Sequence, residues 1–521
     1  MTDAVGQRTT CRAALRKSLT RAFLFYSPRS GQDRAAKDSE FPIRHSPALA
    51  EALSATVADR KMIRQTGKDK TSTLMTVLKK LLVGMDKSEE FFRFTVYIIG
   101  IALIIRFAVL IIFWSDWSWQ SGQVHDGWNK LAINMVDSGT FGFSPNESTI
   151  WRGPIFPLIE IPLYLSFGEN YAAWSIVLLM FDTCTCLLLM ILGRRLWGNR
   201  TALLAGLFHA VHLPVIYYTG MIVQFTTVLP FVFLWFYLFS LWDTASSGKW
   251  LPWLLGLVAG LLILNKTVYL PASFVGVAAL VWFKGWAECR KNRIFPALVV
   301  YLLVTTMVVV PWTYRNYVLT EGKFIPVQAL FWQIVWQDII LSDLDATRGS
   351  DRPDGETLNF ILTTQSELFN KEDNGLREKL SGPQKELYEE KIFAKTSVEW
   401  IRNHPKQYLR NVMNNAWQFW VGAENLNKTL RLFVMQFIYL GATLTGFWLL
   451  FIYRQLHRIR FGLLLILIVW GEHIFVFGWG RFSLDLVPIL GIIFGLGIDT
   501  WMKQSCIKHP LPLLAETSSA T

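Results

Sequence analysis

SDWSWQSGQVHDGWNKLAINMVDSGTFGFSPNESTIWRGPIFP, residues 115–157, is a polar stretch that follows the first long apolar run of the chain. Apolar runs near the length that crosses a bilayer as a helix recur after it. Only 17% of the residues are charged and 52% are hydrophobic, which is typical of membrane proteins and not of soluble ones. We therefore expect this stretch to be a loop at the surface of a membrane scaffold.

About ten apolar segments qualify as membrane spans. They lie near 94–114, 171–192, 201–219, 221–242, 251–265, 268–284, 295–312, 431–453, 461–479 and 484–502. Segment 154–167 is apolar but short and bounded by prolines, so we expect an interfacial or re-entrant helix there. The pattern predicts an all-α polytopic membrane protein, a bundle of about ten or more transmembrane helices with a small extracytoplasmic helical domain.

The basic loops predict the orientation. Lys and Arg concentrate at 193–200, 284–293 and 454–460, which alternation of the spans puts on one side, and this side is the cytoplasm by the positive-inside rule. The predicted parts are a basic, poorly ordered cytoplasmic segment (1–75), a transmembrane module (90–312) with the outer loop 115–157, an extracytoplasmic domain (313–430), transmembrane helices (431–503) and a cytoplasmic tail (504–521). We expect a multi-pass protein of the cell (inner) membrane.

Charge and cysteine content narrow the functional classes. The net charge of +12 fits basic cytoplasmic loops facing anionic headgroups, and nucleic-acid binding is the weaker explanation. None of the five cysteines lies in the two outer segments, so no disulfide framework is expected there. Segment 1–75 could hold a targeting peptide, although no secretory signal is visible.

Four basic residues lie at the outer ends of predicted spans, where the positive-inside rule disfavours them. They are Arg152, Lys266, Arg315 and Arg481. Ionisable groups at membrane depth are costly and usually face a cavity or a partner. Guanidinium groups bind phosphate oxygens bidentately and an ammonium supplies a point charge, so the four together favour a site for a lipid phosphate. The alternative is that each side chain snorkels to the headgroups.

Asp126 is the carboxylate that the sequence favours for catalysis. It lies a short way past the first span, after His125 and two residues before Trp128, next to an amphipathic segment at 130–136. A carboxylate held close to a reacting hydroxyl can take its proton as general base. The alternative is a helix N-cap, a position that Asp favours. Weaker candidates are Asp137, Glu147 and Glu160.

Glu472 and His473 form an ionisable pair within the ninth predicted span, towards its outer half. They could orient a substrate or pair with Arg481. A structural intramembrane pair is an equally good explanation.

Taken in order, these motifs resemble the GT-C polytopic glycosyltransferases, in the branch of protein O-mannosyltransferases and lipid A aminoarabinose transferases. The matching elements are Asp126, Trp128, Ala132 with Gly139, Arg152-Gly-Pro154-Ile-Phe156-Pro157, Gly193-Arg194-Arg195, Asn265-Lys266, Pro311-Trp312 with Arg315-Asn316-Tyr317, His404-Pro405 with Tyr408, and Arg481-Phe482 with Pro488. The resemblance covers about residues 90–500. Many members carry two adjacent acids in the first loop, where this chain has His125 and Asp126.

The resemblance implies transfer of a sugar, with inversion, from a polyprenyl-phosphate donor to a lipid, glycan or protein acceptor at the outer membrane face. Asp126 would be the base, and His125, Trp128, Glu472, His473 and the four basic residues would bind substrate. No cofactor is expected; a divalent metal is left open, but the paired-acid motif that would support it is missing. A transporter or flippase for a lipid-linked sugar is the main alternative, and a non-catalytic membrane subunit is a third. The sequence does not identify the sugar, the carrier or the acceptor.

Overall fold

A computed structural model describes residues 84–85, 87–112, 127–244, 249–291, 294–348, 356–373, 375–423 and 425–508. The chain divides into two units, Met1–Thr76 and Val77–Thr521, and all of the described residues belong to the second. Apart from an isolated bridge between Ser144 and Glu147, the described residues contain no β-structure. The predicted all-α class is confirmed.

Eighteen α-helices make up the described part of the chain. They are α1 Ser88–Ile112, α2 Trp128–Asp137, α3 Ile155–Phe167, α4 Tyr171–Trp197, α5 Asn199–Ala210, α6 Leu213–Thr219, α7 Phe225–Thr244, α8 Leu251–Asn265, α9 Leu270–Lys284, α10 Trp286–Lys291, α11 Ile294–Leu319, α12 Phe331–Arg348, α13 Glu356–Glu372, α14 Gly382–Asn403, α15 Pro405–Val421, α16 Leu426–Ile452, α17 Arg460–Val476 and α18 Val487–Lys508. Short 3₁₀ helices lie at Thr267–Tyr269, Arg377–Lys379, Leu456–Ile459 and Gly480–Leu486.

Eight helices in the described part are long and apolar enough to cross a membrane, or nine if the bent pair α5 and α6 forms one span. The chain is therefore a multi-pass membrane protein. Two of the predicted spans need correction. Segment 201–219 is two helices that meet at 57°, and a proline follows the break, at Pro214. Helix α8 has 15 residues and is about 22 Å long, too short for a bilayer core of about 30 Å.

Buried ion pairs connect the spans. Arg106 of α1 lies 2.6 Å from Asp182 of α4, and both side chains are 0% exposed. His209 of α5 contacts the other oxygen of Asp182 at 2.9 Å. Charges that have left water need partners at such short range. The cluster therefore fixes α1, α4 and α5 relative to one another.

Between the spans α11 and α16 lie four helices that are more polar. Helices α12, α13 and α14 share a small core in which Trp336 and Phe369 each pack against Phe393, with ring centroids 5.0 and 5.4 Å apart. Helix α14 spans the amphipathic stretch predicted near 385–402, and α15 packs on α17 through the indole N–H of Trp470, which donates to the Ala416 carbonyl. We call α12–α15 the outer helices, after the extracytoplasmic position that the sequence predicts for them.

Candidate active site

The described part of the first loop begins at Gly127, directly before α2. Gly127 has φ 67°, in the left-handed region, and it occupies the N-cap position of the helix. The N-cap alternative for Asp126 was therefore wrong, because α2 begins one residue later than that alternative requires. Asp126 and His125 themselves lie outside the described residues.

The Trp128 ring lies against the guanidinium group of Arg152, which comes from the C-terminal end of the same loop. The indole is buried and meets Phe156 edge-on, with ring centroids 5.6 Å apart. The guanidinium carbon of Arg152 lies 5.2 Å from the Trp128 ring centroid and 5.8 Å from that of Phe143. The ring quadrupoles attract a cation that lies over aromatic faces, so these rings help to hold the guanidinium group in place. The structure thus brings two of the sequence-predicted residues together.

Gly153 seats this loop on the end of α8. A Cβ built at Gly153 would lie 2.2 Å from the Leu264 carbonyl oxygen, a distance that no side chain tolerates. Leu264 is two residues before Lys266, the C-cap of α8. The backbone contact therefore places the Arg152 segment beside the end of α8 that carries Lys266.

Lys266 is bound by a carboxylate that the sequence analysis did not single out. Its ammonium lies 2.6 Å from Asp485 Oδ2, which also accepts a hydrogen bond of 3.0 Å from the Tyr269 hydroxyl. Asp485 is fully buried, whereas the Lys266 side chain is 17% exposed. Lys266 also lies 5.0 Å from the Phe482 ring centroid. Because an ammonium has three donors, Lys266 can bind a further anion while it holds Asp485.

Arg481, Glu472 and His473 surround the same place. The Arg481 guanidinium carbon lies 5.2 Å from the Phe482 ring centroid and 5.3 Å from that of Trp479. The His473 ring packs against the same Phe482 ring, with ring centroids 4.8 Å apart. Its Nδ1 lies 2.7 Å from the Val469 carbonyl oxygen. Glu472 lies within electrostatic range of Lys266. The structure therefore groups Lys266, His473 and Arg481 around Phe482, and Glu472 lies near Lys266.

Arg315 donates its N–H groups to backbone carbonyl groups of the first loop. It donates to the Thr149 carbonyl at 3.0 Å and to the Phe141 carbonyl at 3.3 Å. Its guanidinium carbon lies 4.4 Å from the Trp312 ring centroid. These contacts tie the first loop to the end of α11, so Arg315 positions the loop.

Glu386 holds the same loop from the outer helices. Its carboxylate accepts a 2.6 Å hydrogen bond from the Thr149 hydroxyl and a 2.7 Å bond from the Ile150 backbone N–H. Burial raises the pKa of Glu386 to about 7, although these two bonds and the nearby Arg152 lower it. Gly382 completes the contact, since a Cβ there would lie 2.7 Å from the Ser148 carbonyl oxygen.

Sequence reasoning missed Asp485 and Glu386 for the same reason. Each contacts a partner more than 200 positions away, and the local pattern does not show which partner that is. One signal was available for Asp485: an acid inside an apolar segment that begins with Arg481 requires a partner. No such signal marked Glu386 within the amphipathic stretch 385–402.

The site combines cations, aromatic rings and buried carboxylate groups. Cations from the loop and from the ends of α8 and α17–α18 lie over aromatic rings, where they can approach an anionic ligand. Asp485 and Glu472 each keep one buried oxygen without a hydrogen-bond donor among the described residues. Within that same part of the chain, no group of three His, Cys, Asp or Glu residues could hold a metal ion. The arrangement suits an anionic ligand with a polar head.

Comparisons with known proteins find similarity in the helical arrangement. No family profile and no curated protein sequence matches the chain. A solved structure of the oligosaccharyltransferase AglB from Archaeoglobus fulgidus, in complex with an inhibitory peptide and a dolichol-phosphate, has 14% identity and a TM-score of 0.43, covering 79% of this chain and 51% of that one. The chain thus spans about half the length of that protein.

Two structures of ArnT from Cupriavidus metallidurans also match, one in the apo state and one bound to undecaprenyl phosphate. They have 14% identity and TM-scores of 0.34 and 0.36, and the match covers 78% of this chain and 76% of each of theirs. At this identity and TM-score, the likeness concerns part of the helical arrangement and says nothing about the donor, acceptor or catalytic residues of this chain.

Proposed function

We propose that this chain is an inverting glycosyltransferase that moves a sugar from a polyprenyl-phosphate donor to an acceptor at the extracytoplasmic face of the cell membrane. The observation that carries the proposal is the contact of Gly153 with Leu264. It brings the loop segment that carries Arg152 against the end of α8, where Lys266 is the C-cap, and this proximity supports a shared role for the two cations. A phosphate head between two cations and a hydrocarbon tail among apolar helices is the chemistry of a polyprenyl phosphate.

Each residue then has a distinct role. Asp126 takes the proton of the acceptor hydroxyl, and the oxygen attacks the anomeric carbon of the donor. The bond from that carbon to the phosphate oxygen breaks, and the electron pair leaves with the polyprenyl phosphate. Arg152, Lys266 and Arg481 stabilise the charge that grows on the departing phosphate. A single displacement of this kind inverts the anomeric configuration and uses no cofactor.

Other predicted residues serve these groups indirectly. Arg315 braces the loop through the Phe141 and Thr149 carbonyls and needs no contact with the donor. Trp128 supports Arg152 from below. His473 packs on Phe482, which lies against both Lys266 and Arg481, and so helps to fix where these two cations lie.

Asp126→Asn tests the catalytic step. The amide keeps the size of the side chain and cannot accept the proton, so transfer should fall by about 100-fold or more. Mass spectrometry of envelope lipids and glycans compares a strain lacking the protein with strains complemented by wild type or variant. The glycoform lost in the deletion strain should return with wild type and should not return with Asp126→Asn.

Asp137→Asn is the matched control for this variant. Asp137 is an exposed carboxylate at the end of α2, bonded to the Tyr164 hydroxyl, and its replacement removes the same charge from the same loop. It should restore the glycoform. Near-normal transfer by Asp126→Asn at equal protein level would reject Asp126 as the base.

A transporter or flippase for a lipid-linked sugar remains the alternative function. A carrier is expected to line a route through the bundle with polar groups. The ionic cluster at Arg106 and Asp182 does not do so, because both side chains are fully enclosed and bonded to each other. A flippase would relocate a fluorescent polyprenyl-phosphate sugar in proteoliposomes without forming a new glycosidic bond, and this result would favour the alternative.

A further inference from the structure

A cavity of about 510 Å³ lies among α12, α15, the start of α16 and the segment that follows α17. This volume falls within the range of small-molecule sites, about 300–1,000 Å³. The cavity is separate from the basic residues described above, but it shares a wall with them. Trp479 lines the cavity and also lies 5.3 Å from the Arg481 guanidinium carbon.

Side-chain amides dominate the polar part of the lining. The six are Gln407, Asn411, Asn414, Asn415, Gln418 and Asn425. Four of them follow one another on α15 at steps of three or four residues, which puts them on one face of the helix. An amide offers both donors and an acceptor, so a face of this kind suits a ligand whose groups also do both.

This face of α15 is not simply a solvated helix surface. Asn411 and Asn415 are only 4% and 3% exposed. Asn415 donates to the Ile474 carbonyl at 3.3 Å, but the Asn411 Nδ2 atom has no hydrogen-bond partner among the described residues. A buried donor left without an acceptor destabilises the fold, because it has lost its hydrogen bonds to water. Asn411 therefore points to an acceptor group that a ligand supplies.

The charge and aromatic content of the cavity narrow the class of ligand. Among the described residues, the ionisable side chains of its lining are one guanidinium group, Arg410, and one carboxyl group, Asp338, so the lining lacks the cluster of cations that binds a phosphate. The amides make it a poor site for a hydrocarbon tail. Trp417 and Trp479 supply broad apolar faces, and Trp417 is 50% exposed. Amides together with flat aromatic faces match a sugar ring, which has hydroxyl groups at its edge and C–H groups on its faces.

We propose that this cavity binds a saccharide segment of the acceptor. This rests on the proposed glycosyl transfer and specifies its acceptor class: a glycan or glycolipid whose sugar rings lie against Trp417 and Trp479. The shared Trp479 then places the bound saccharide beside Arg481, one of the residues assigned to the donor phosphate.

Saturation-transfer NMR on the full chain in nanodiscs tests the proposal without a donor. The probes are methyl glucoside, methyl galactoside, methyl mannoside, methyl N-acetylglucosaminide, maltotriose and chitotriose, with the tripeptide Gly-Ser-Gly as a peptide probe. Saturation should reach the ring protons of at least one saccharide. It should fall at least fivefold in Trp417→Ala and in Asn411→Leu.

Matched variants on exposed positions control for general effects. Met413→Ala removes a large exposed side chain from α15 outside the cavity lining, and Asn403→Leu replaces an exposed amide at the end of α14. Both should bind the saccharide as wild type does. Three results would overturn the proposal: no saccharide signal with wild type, the same saccharide signal with all variants, or NMR saturation of the peptide probe alone.

The outcome is separable from that of the proposed function. The residues assigned to saccharide binding, Trp417, Trp479 and Asn411, do not include Asp126, so Asp126→Asn should bind saccharide normally while it fails to transfer a sugar. Binding without any loss of transfer in Asp126→Asn would reject the catalytic assignment and leave the saccharide site standing. If Asp126→Asn loses glycosyl transfer but wild type shows no saccharide binding, the catalytic assignment stands and the saccharide site is rejected.

Discussion

Asp338 is a residue whose protonation the fold controls. Burial in the wall of the cavity raises its pKa to about 7, against the lowering effect of a hydrogen bond with Asn415. In the unfolded chain the same carboxyl group has released its proton well below this pH. The folded protein therefore holds one more proton than the unfolded chain between about pH 4 and pH 7, and the free energy of unfolding falls as the pH rises through this range.

Asp338→Asn should remove this dependence on pH, since an amide has no proton to lose. Between pH 5 and pH 8, the Tm of wild type in detergent should fall further than that of the variant, by about 2 °C or more. Scanning fluorimetry at the two pH values measures this difference. Glu378→Gln, which changes an exposed carboxyl group of the outer helices, should follow wild type. Parallel curves for wild type and Asp338→Asn would contradict the assignment.

At the scale of the element, the loop between α2 and α3 is positioned by close backbone contact. Gly153 fits against Leu264 only because it has no side chain, and Arg315 and Glu386 hold residues 149–150 from two sides. The position of Arg152 is thus a property of several elements together, which explains why a short motif around it carries little information alone.

Gly153→Ala should displace the loop from α8. A Cβ 2.2 Å from a backbone oxygen cannot be relieved by a rotamer change, and overpacking of this kind costs about 1–3 kcal/mol. We expect a lower Tm and a more than tenfold loss of transfer, since Arg152 moves away from Lys266. Gly100→Ala, where the added methyl group meets nothing within 4 Å, is the control and should leave both unchanged. Wild-type transfer in Gly153→Ala would show that this contact is dispensable.

Hydrophobic patterning predicted most of the elements but not the contacts between them. The apolar runs located the spans because a bilayer imposes their length, whereas the orientation drawn from the basic loops stays a prediction. Runs do not show where a helix bends, so α5 and α6 were merged, and α8 was counted as a full span. Three cations could be identified from the sequence because the positive-inside rule disfavours them at the predicted outer ends of spans: Arg152, Lys266 and Arg481. In the structure each of them lies against an aromatic ring.

The carboxylates that complete the site could not be found in this way. Lys266 and Asp485 are 219 positions apart, and Thr149 and Glu386 are 237 apart. Pairings at such distances arise from helix packing, which a single sequence does not encode in any local pattern. The roles of Asp126 and His125 stay predictions, because both lie outside the described residues.

For the whole molecule, the buried cluster of Arg106, Asp182 and His209 determines how the first spans assemble. Asp182→Leu should leave Arg106 charged and without its carboxylate partner, at a cost of about 3–5 kcal/mol. We expect little monodisperse protein by size-exclusion chromatography after extraction. The double variant Arg106→Met with Asp182→Leu removes both charges and should recover much of the yield. Equal yields from the single and double variants would show that the ion pair does not set the assembly of these helices.

The hydrogen bonds that Glu386 accepts from Thr149 and Ile150 also limit how this protein can be re-engineered. The outer helices are not a detachable module. A chimera that exchanges 320–425 alone would strand the hydroxyl of Thr149 and the N–H of Ile150 and would replace Gly382, whose missing side chain makes room for the Ser148 carbonyl. A functional exchange of the outer helices therefore requires the loop at 141–154 to be exchanged together with them.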